Sequence, residues 1–127
     1  MIMEDFSLVL KEVIKKDVEK INIELSESLK EEFDKTAENY LKRGMVSDAI
    51  KVFYLTKNTE KLIKIGNECL KRKELDSAFQ AFYLAKNREG LDKTGTAFMA
   101  NGEIKNALTS FRLAENKEMT NFIEVNF

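Results

Sequence analysis

Apolar positions recur at helical spacing along most of the chain. Over residues 59–72, Leu62, Ile65, Cys69 and Leu70 fall on one stripe, and over 75–86 Leu75, Ala78, Phe79, Phe82 and Ala85 do the same. Steps of three and four place side chains on one face of a helix. The polar break Arg72-Lys73-Glu74 separates the two stripes, and Gly44 and Gly102 with their neighbours stand at the matching breaks elsewhere. The spacing predicts about 14 residues of helix, a turn and about 12 more, a helical hairpin with a short connection. From Glu4 to Ile21, Phe6, Val9, Leu10, Val13, Ile14, Val18 and Ile21 form a further stripe, with Lys11, Lys15, Lys16 and Lys20 mostly outside it. Residues 21–25 alternate as a strand does, but a lone strand has no partner, and they read as a connection. Near the other end, Met119, Phe122, Ile123, Val125 and Phe127 begin another helix of the first type.

The hairpin repeats. Residues 36–64, 65–93 and 94–122 align at a constant offset of 29. Ala49, Ala78 and Ala107 share a column, as do Phe53, Phe82 and Phe111, and Leu55, Leu84 and Leu113. So do Asn58, Asn87 and Asn116, and Glu60, Glu89 and Glu118. Tyr40, Cys69 and Phe98 agree in type. Identity in several columns at one offset exceeds chance, and a period of about 20–50 residues marks a solenoid. The box Ser28-Leu29-Lys30-Glu31 matches S-x-x-E, so the first helix of the first copy is expected to start near Leu29. The expectation is one domain over 1–127: a capping helix and connection over 1–27, three helical hairpins over 28–116 and a helix fragment over 117–127. A solenoid's first hairpin needs a cover, which gives the N-terminal stripe its role.

Each recurring residue has a local reason. An Asn where one hairpin ends can cap the next helix or take the left-handed conformation that closes the previous one. The Glu that follows sits where the helix dipole favours negative charge. An asparagine ladder for a peptide backbone is the functional alternative, but capping explains both residues. The Ala column suits a close helix crossing, faced by Gly66 and Gly95 (Ala37 in the first copy), with the Phe column filling the gap between hairpins.

Composition narrows the class. The chain has no Pro, five Gly, one Cys and no His, and 21 basic against 22 acidic residues. Few breakers favour helix throughout. A single Cys excludes an internal disulfide and fits a reducing compartment; without His, a His/Cys metal site and a His-based triad are excluded. The N-terminus lacks the positive charge of a secretory signal, so the expected location is cytoplasmic. Near-zero net charge gives no general attraction to nucleic acid or anionic lipid. Gly90-Leu91-Asp92-Lys93-Thr94-Gly95 lacks the order of a phosphate loop. Cys69 shares its column with Tyr40 and Phe98, so it reads as a buried apolar residue rather than a nucleophile. No enzyme, metal or cofactor is expected.

Gly66, the aromatic-type position at Cys69, the turn glycines Gly44 and Gly102, Ala78, Phe82 and Ala85 together resemble the tetratricopeptide repeat over roughly residues 33–119. The period is 29 rather than about 34 and the closing Pro is missing, so the second helix or the link after Ala85 is shorter than in the family. The chain is also similar in this respect to the solenoids of vesicle-coat and intraflagellar-transport subunits. The resemblance implies an all-α fold, a right-handed α–α superhelix of about three hairpins, and a scaffold or adaptor that binds a peptide or helix of another protein in a concave groove. Groove positions carried over from the family are Asp34, Glu38, Lys42, Ile63, Asn67, Lys71, Asp92, Thr96 and Ala100. Asp34 and Glu38 stand where chaperone-binding members carry the Lys and Asn of a carboxylate clamp, which argues against a clamp here. The alternative is an assembly module, self-associating through residues 1–21 or 117–127. A third reading makes Lys42-Arg43 and Lys71-Arg72-Lys73 an RNA ridge, but the third copy has Ala100-Asn101 there and no exposed aromatic is interleaved to stack bases.

Overall fold

The computed structural model describes residues 18–20 and 24–127. These residues form a short 3₁₀ turn at Val18–Lys20 and seven α-helices: α1 (Glu27–Lys42), α2 (Val46–Leu55), α3 (Thr59–Lys71), α4 (Leu75–Ala85), α5 (Arg88–Ala100), α6 (Ile104–Leu113) and α7 (Lys117–Asn126). No strand occurs among the described residues, and none of their helices is long and apolar enough to cross a membrane. The amphipathic stripe expected over 4–21 lies outside the described residues apart from Val18–Lys20, where Val18 is buried. The expected connection is described only from Glu24 onward and carries no regular structure before α1.

Helix α1 starts earlier than the capping box suggested. Its N-cap is Ser26, whose Oγ accepts the Leu29 N–H at 3.3 Å. Ser26 is as good a cap as Ser28, and choosing it adds two residues to the helix and puts Glu27 in the first turn.

All six helices from α1 to α6 stop in the same way. A residue in the left-handed region follows each: Gly44, Lys57, Lys73, Lys86, Gly102 and Glu115, with φ between 54° and 78°. Its N–H and the next one turn back onto the helix. At the end of α3, Lys73 N–H donates to Leu70 O at 3.1 Å and Glu74 N–H to Cys69 O at 2.9 Å; at the end of α4, Lys86 N–H donates to Tyr83 O at 3.1 Å and Asn87 N–H to Phe82 O at 3.0 Å. This paired closure satisfies carbonyls that a helix end otherwise leaves open. Glycine takes the left-handed position without penalty, yet only two of the six positions have one.

The described residues fall into two compact units, divided between Thr59 and Glu60. In the first, α1 packs on α2, and Phe33, Ala37, Ala49, Ile50, Val52 and Phe53 are buried. In the second, α5 packs on α4 and α6, and α6 on α7. Its core joins Phe98, Ala107, Phe111 and Ile123 to Leu75, Phe79, Met99, Ile104, Leu108 and Met119. Ala49, Ala78, Ala107, Phe53, Phe82 and Phe111 are all fully buried, as their columns required. The glycines serve a narrower purpose than facing the alanines. A Cβ on Gly66 would come within 2.6–2.9 Å of the Phe82 ring, and one on Gly90 would overlap the same ring. A Cβ on Gly95 would stand 2.8–3.0 Å from the Phe111 ring. The phenyl rings therefore lie directly on backbone.

Candidate interaction surfaces

The positions carried over from the repeat family lie on α1, α3 and α5, the first helix of each hairpin. Those in one column do not behave alike. On α1, Asp34 is half-buried: its Oδ1 accepts from Thr56 Oγ1 at 2.6 Å and its Oδ2 from Asn58 Nδ2 at 3.1 Å. On α5, Asp92 is also half-buried, and its Oδ1 accepts from Asn116 Nδ2 at 2.5 Å. Each carboxylate ties its own helix to the Asn that closes the same hairpin. Hydrogen bonds to an ionised acceptor are stronger than neutral ones, so these aspartates act as tethers within the hairpin. On α3 the column holds Ile63, half-buried, and no such tether forms.

The next turn along is more open. Asn67 and Lys71 on α3 and Thr96 and Ala100 on α5 are exposed, as is Lys42 on α1, while Glu38 is half-buried. Lys71 lies 3.6 Å from Glu68, an exposed pair of small energetic weight. Among these positions of α3 and α5, Ile63 is apolar and half-buried, Asp92 is half-buried, and the others are small or polar and exposed. Lys42 and Lys71 occupy the last turns of α1 and α3, where the helix dipole favours cations.

The closing asparagines are structural. Asn87 Oδ1 accepts the Gly90 N–H at 2.6 Å and Asn116 Oδ1 the Met119 N–H at 3.0 Å, so both cap the following helix. The left-handed residue lies one position earlier, at Lys57, Lys86 and Glu115, not at the Asn. Glu60, Glu89 and Glu118 fall in first turns as expected. Sequence reading missed the Asp–Asn tether, whose signal was a recurrent Asp-to-Asn separation shared by the first and third copies.

Two further features stand outside these columns. Helix α7 turns Ile123 into the core but leaves Phe122 48% and Val125 83% exposed, and Phe127 after it is 72% exposed. Cys69 is buried, and its thiol is pushed above its ordinary pKa by that burial and then by the neighbouring Glu74. A thiol held neutral is a poor nucleophile. No family model matches the chain, and comparison with curated proteins and with solved structures gives no match.

Proposed function

We propose that the chain is a tetratricopeptide-like, right-handed superhelix that acts as a non-enzymatic protein–protein scaffold, gripping a peptide or helix of a partner along the exposed faces of its first helices. The observation that carries this reading is the exposure pattern of α3 and α5: Ile63 is apolar and half-buried, while Asn67 and Lys71 on the same helix and Thr96 and Ala100 on α5 are exposed. An apolar group among small polar ones suits a docked chain, which needs one anchor and several hydrogen-bonding contacts. Support for the repeat comes from the six helix ends: Gly44, Lys73 and Gly102 stand 29 residues apart in left-handed conformation, and so do Lys57, Lys86 and Glu115. Asp34 and Asp92 take part by holding the hairpins, not by touching the partner.

The test compares proteins co-purifying with the native chain, with an Ile63→Arg/Thr96→Arg variant and with a Lys105→Glu control on α6. The face variant, folded by circular dichroism, loses a partner that the control keeps. Identical retention by all three, or no specific retention by the native chain, overturns the reading.

A specific observation favours a second reading, an assembly module: Phe122 and Val125 of α7 and Phe127 just after it are large apolar side chains left exposed, of the kind that marks an interface. Sedimentation then gives a mass that rises with concentration and stays monomeric in Phe122→Glu. A native chain that stays monomeric at all concentrations rejects it.

A further inference from the structure

Helix α7 is held in place by few groups. Of its ten residues, all of them described, Ile123 alone is buried. Met119 stands one turn before it on the same face, half-buried, and packs with it in the core of Phe98, Ala107 and Phe111. The first turn is pinned by Asn116, whose Oδ1 accepts the Met119 N–H at 3.0 Å and whose Nδ2 donates to Asp92. Further along, Arg112 of α6 pairs with Glu124 at 3.5 Å, an exposed contact of small energetic weight. An isolated helix shorter than about 12–15 residues is marginal in water. Undocking and unfolding of α7 are therefore one event.

Three of the five methionines are described, and their settings differ. Met45 stands at the turn before α2 and is 39% exposed. Met99 is half-buried in the same core as Met119. Its helix α5, however, packs on both α4 and α6 and buries Leu91, Thr94 and Phe98 besides. Loss of one apolar contact leaves α5 well anchored. Met119 is different: among the described methionines it alone joins partial exposure, which admits a small oxidant, to a helix with a single other buried anchor.

We infer that Met119 is a redox-sensitive latch, whose oxidation by hydrogen peroxide releases α7 from α6. The thioether sulfur attacks one peroxide oxygen, an S–O bond forms as the O–O bond breaks, the sulfur gives up two electrons, and the other oxygen leaves as water. The sulfoxide is polar, and its oxygen accepts hydrogen bonds. Among Phe98, Phe111 and Ile123 it meets no donor side chain, and an acceptor buried without a partner is unfavourable. Leaving the core relieves that cost and takes Ile123 into water with the helix. Enzymatic reduction of the sulfoxide returns the thioether and resets the latch.

Treating the full chain with hydrogen peroxide, then mapping its peptides by mass and following amide hydrogen exchange, tests it. Met119 is expected to gain one oxygen in the folded chain. The amides of α7 then exchange at least about tenfold faster, while those of α5 keep their protection. Met119→Leu conserves the volume and the apolar contact. Its α7 amides exchange alike before and after peroxide, although Met45, Met99 and Cys69 are all still present, which separates the latch from general oxidative damage. Met119 left unoxidised in the folded chain, oxidised Met119 with unchanged α7 exchange, α7 amides already unprotected in the untreated chain, or the same acceleration in Met119→Leu overturns the inference.

Discussion

The hairpins α3–α4 and α5–α6 meet the same packing problem with different side chains. In the first, the Phe82 ring lies between two glycines, Gly66 on its own hairpin and Gly90 on α5. In the second, Phe111 rests on Gly95, and the residue 29 after Gly90 is Met119, which packs in the same core cluster. Ala81 in the first is Ser110 in the second, buried with no hydrogen-bond partner among the described residues. Lys73 holds the left-handed turn that Gly102 holds in the second. Phe82 of the α3–α4 hairpin approaches glycine backbone more closely than Phe111 does, and the α3–α4 turn is the more strained. Packing density and backbone comfort are thus set separately, position by position.

The strongest way to break this contrast is to remove the rings. Phe82→Ala should cost roughly 3–5 kcal/mol, and Phe111→Ala a similar amount, read as loss of denaturation midpoint. Filling the slots separates the hairpins further. Gly90→Ala gains about 1 kcal/mol of helix propensity but overpacks a fully buried ring, at about 1–3 kcal/mol, so it should destabilise. In Gly95→Ala the approach is looser and the two effects nearly cancel. Combined with Phe82→Ala, Gly90→Ala should turn stabilising, since the ring it collides with is gone; persistence of its full cost would show that the clash lies elsewhere.

Smaller changes sharpen the comparison. Ser110→Ala copies Ala81 and removes a stranded hydroxyl, raising stability by up to about 1 kcal/mol. Lys73→Gly copies Gly102 and should also stabilise, by up to about 1 kcal/mol, because a left-handed L-residue is strained. A melting point unchanged or lowered by both would mean that neither contrast has an energetic side. The mildest effect is on pH. Cys69 has its folded pKa raised, so its contribution is complete below the ordinary thiol range and is lost as pH climbs through the raised value. Melting should therefore fall at alkaline pH, and less steeply in Cys69→Ala.

Much of the fold was legible because it rests on periodicity. Burial of Phe82, Ala78 and Cys69 follows from spacing alone, and the helix-opening role of Asn87 and Asn116 from residue type. The turns at Lys57, Lys86 and Glu115 were not legible as left-handed, since the conformation is imposed by the paired backbone bonds and leaves no mark on the side chain. The cap at Ser26 was not legible because Ser28 satisfies the capping-box pattern, and which serine caps depends on which N–H ends up nearest. Among the surface positions, Asp34 and Asp92 look identical in sequence to solvated acids. Only the return of Asn58 and Asn116 at the far end of each hairpin reveals what they hold.

Asn87 is at once the last closing donor of α4, through its N–H to Phe82 O, and the cap of α5, through its side chain to Gly90 N–H. One residue welds two helices, and the joint has no slack. Inserting a single residue between Lys86 and Asn87 would turn α5 by about 100° out of phase with α4, swinging Gly90 off the Phe82 ring. Such a joint works like a gear tooth: it can be duplicated or deleted together with its wheel, but it cannot be widened by one notch.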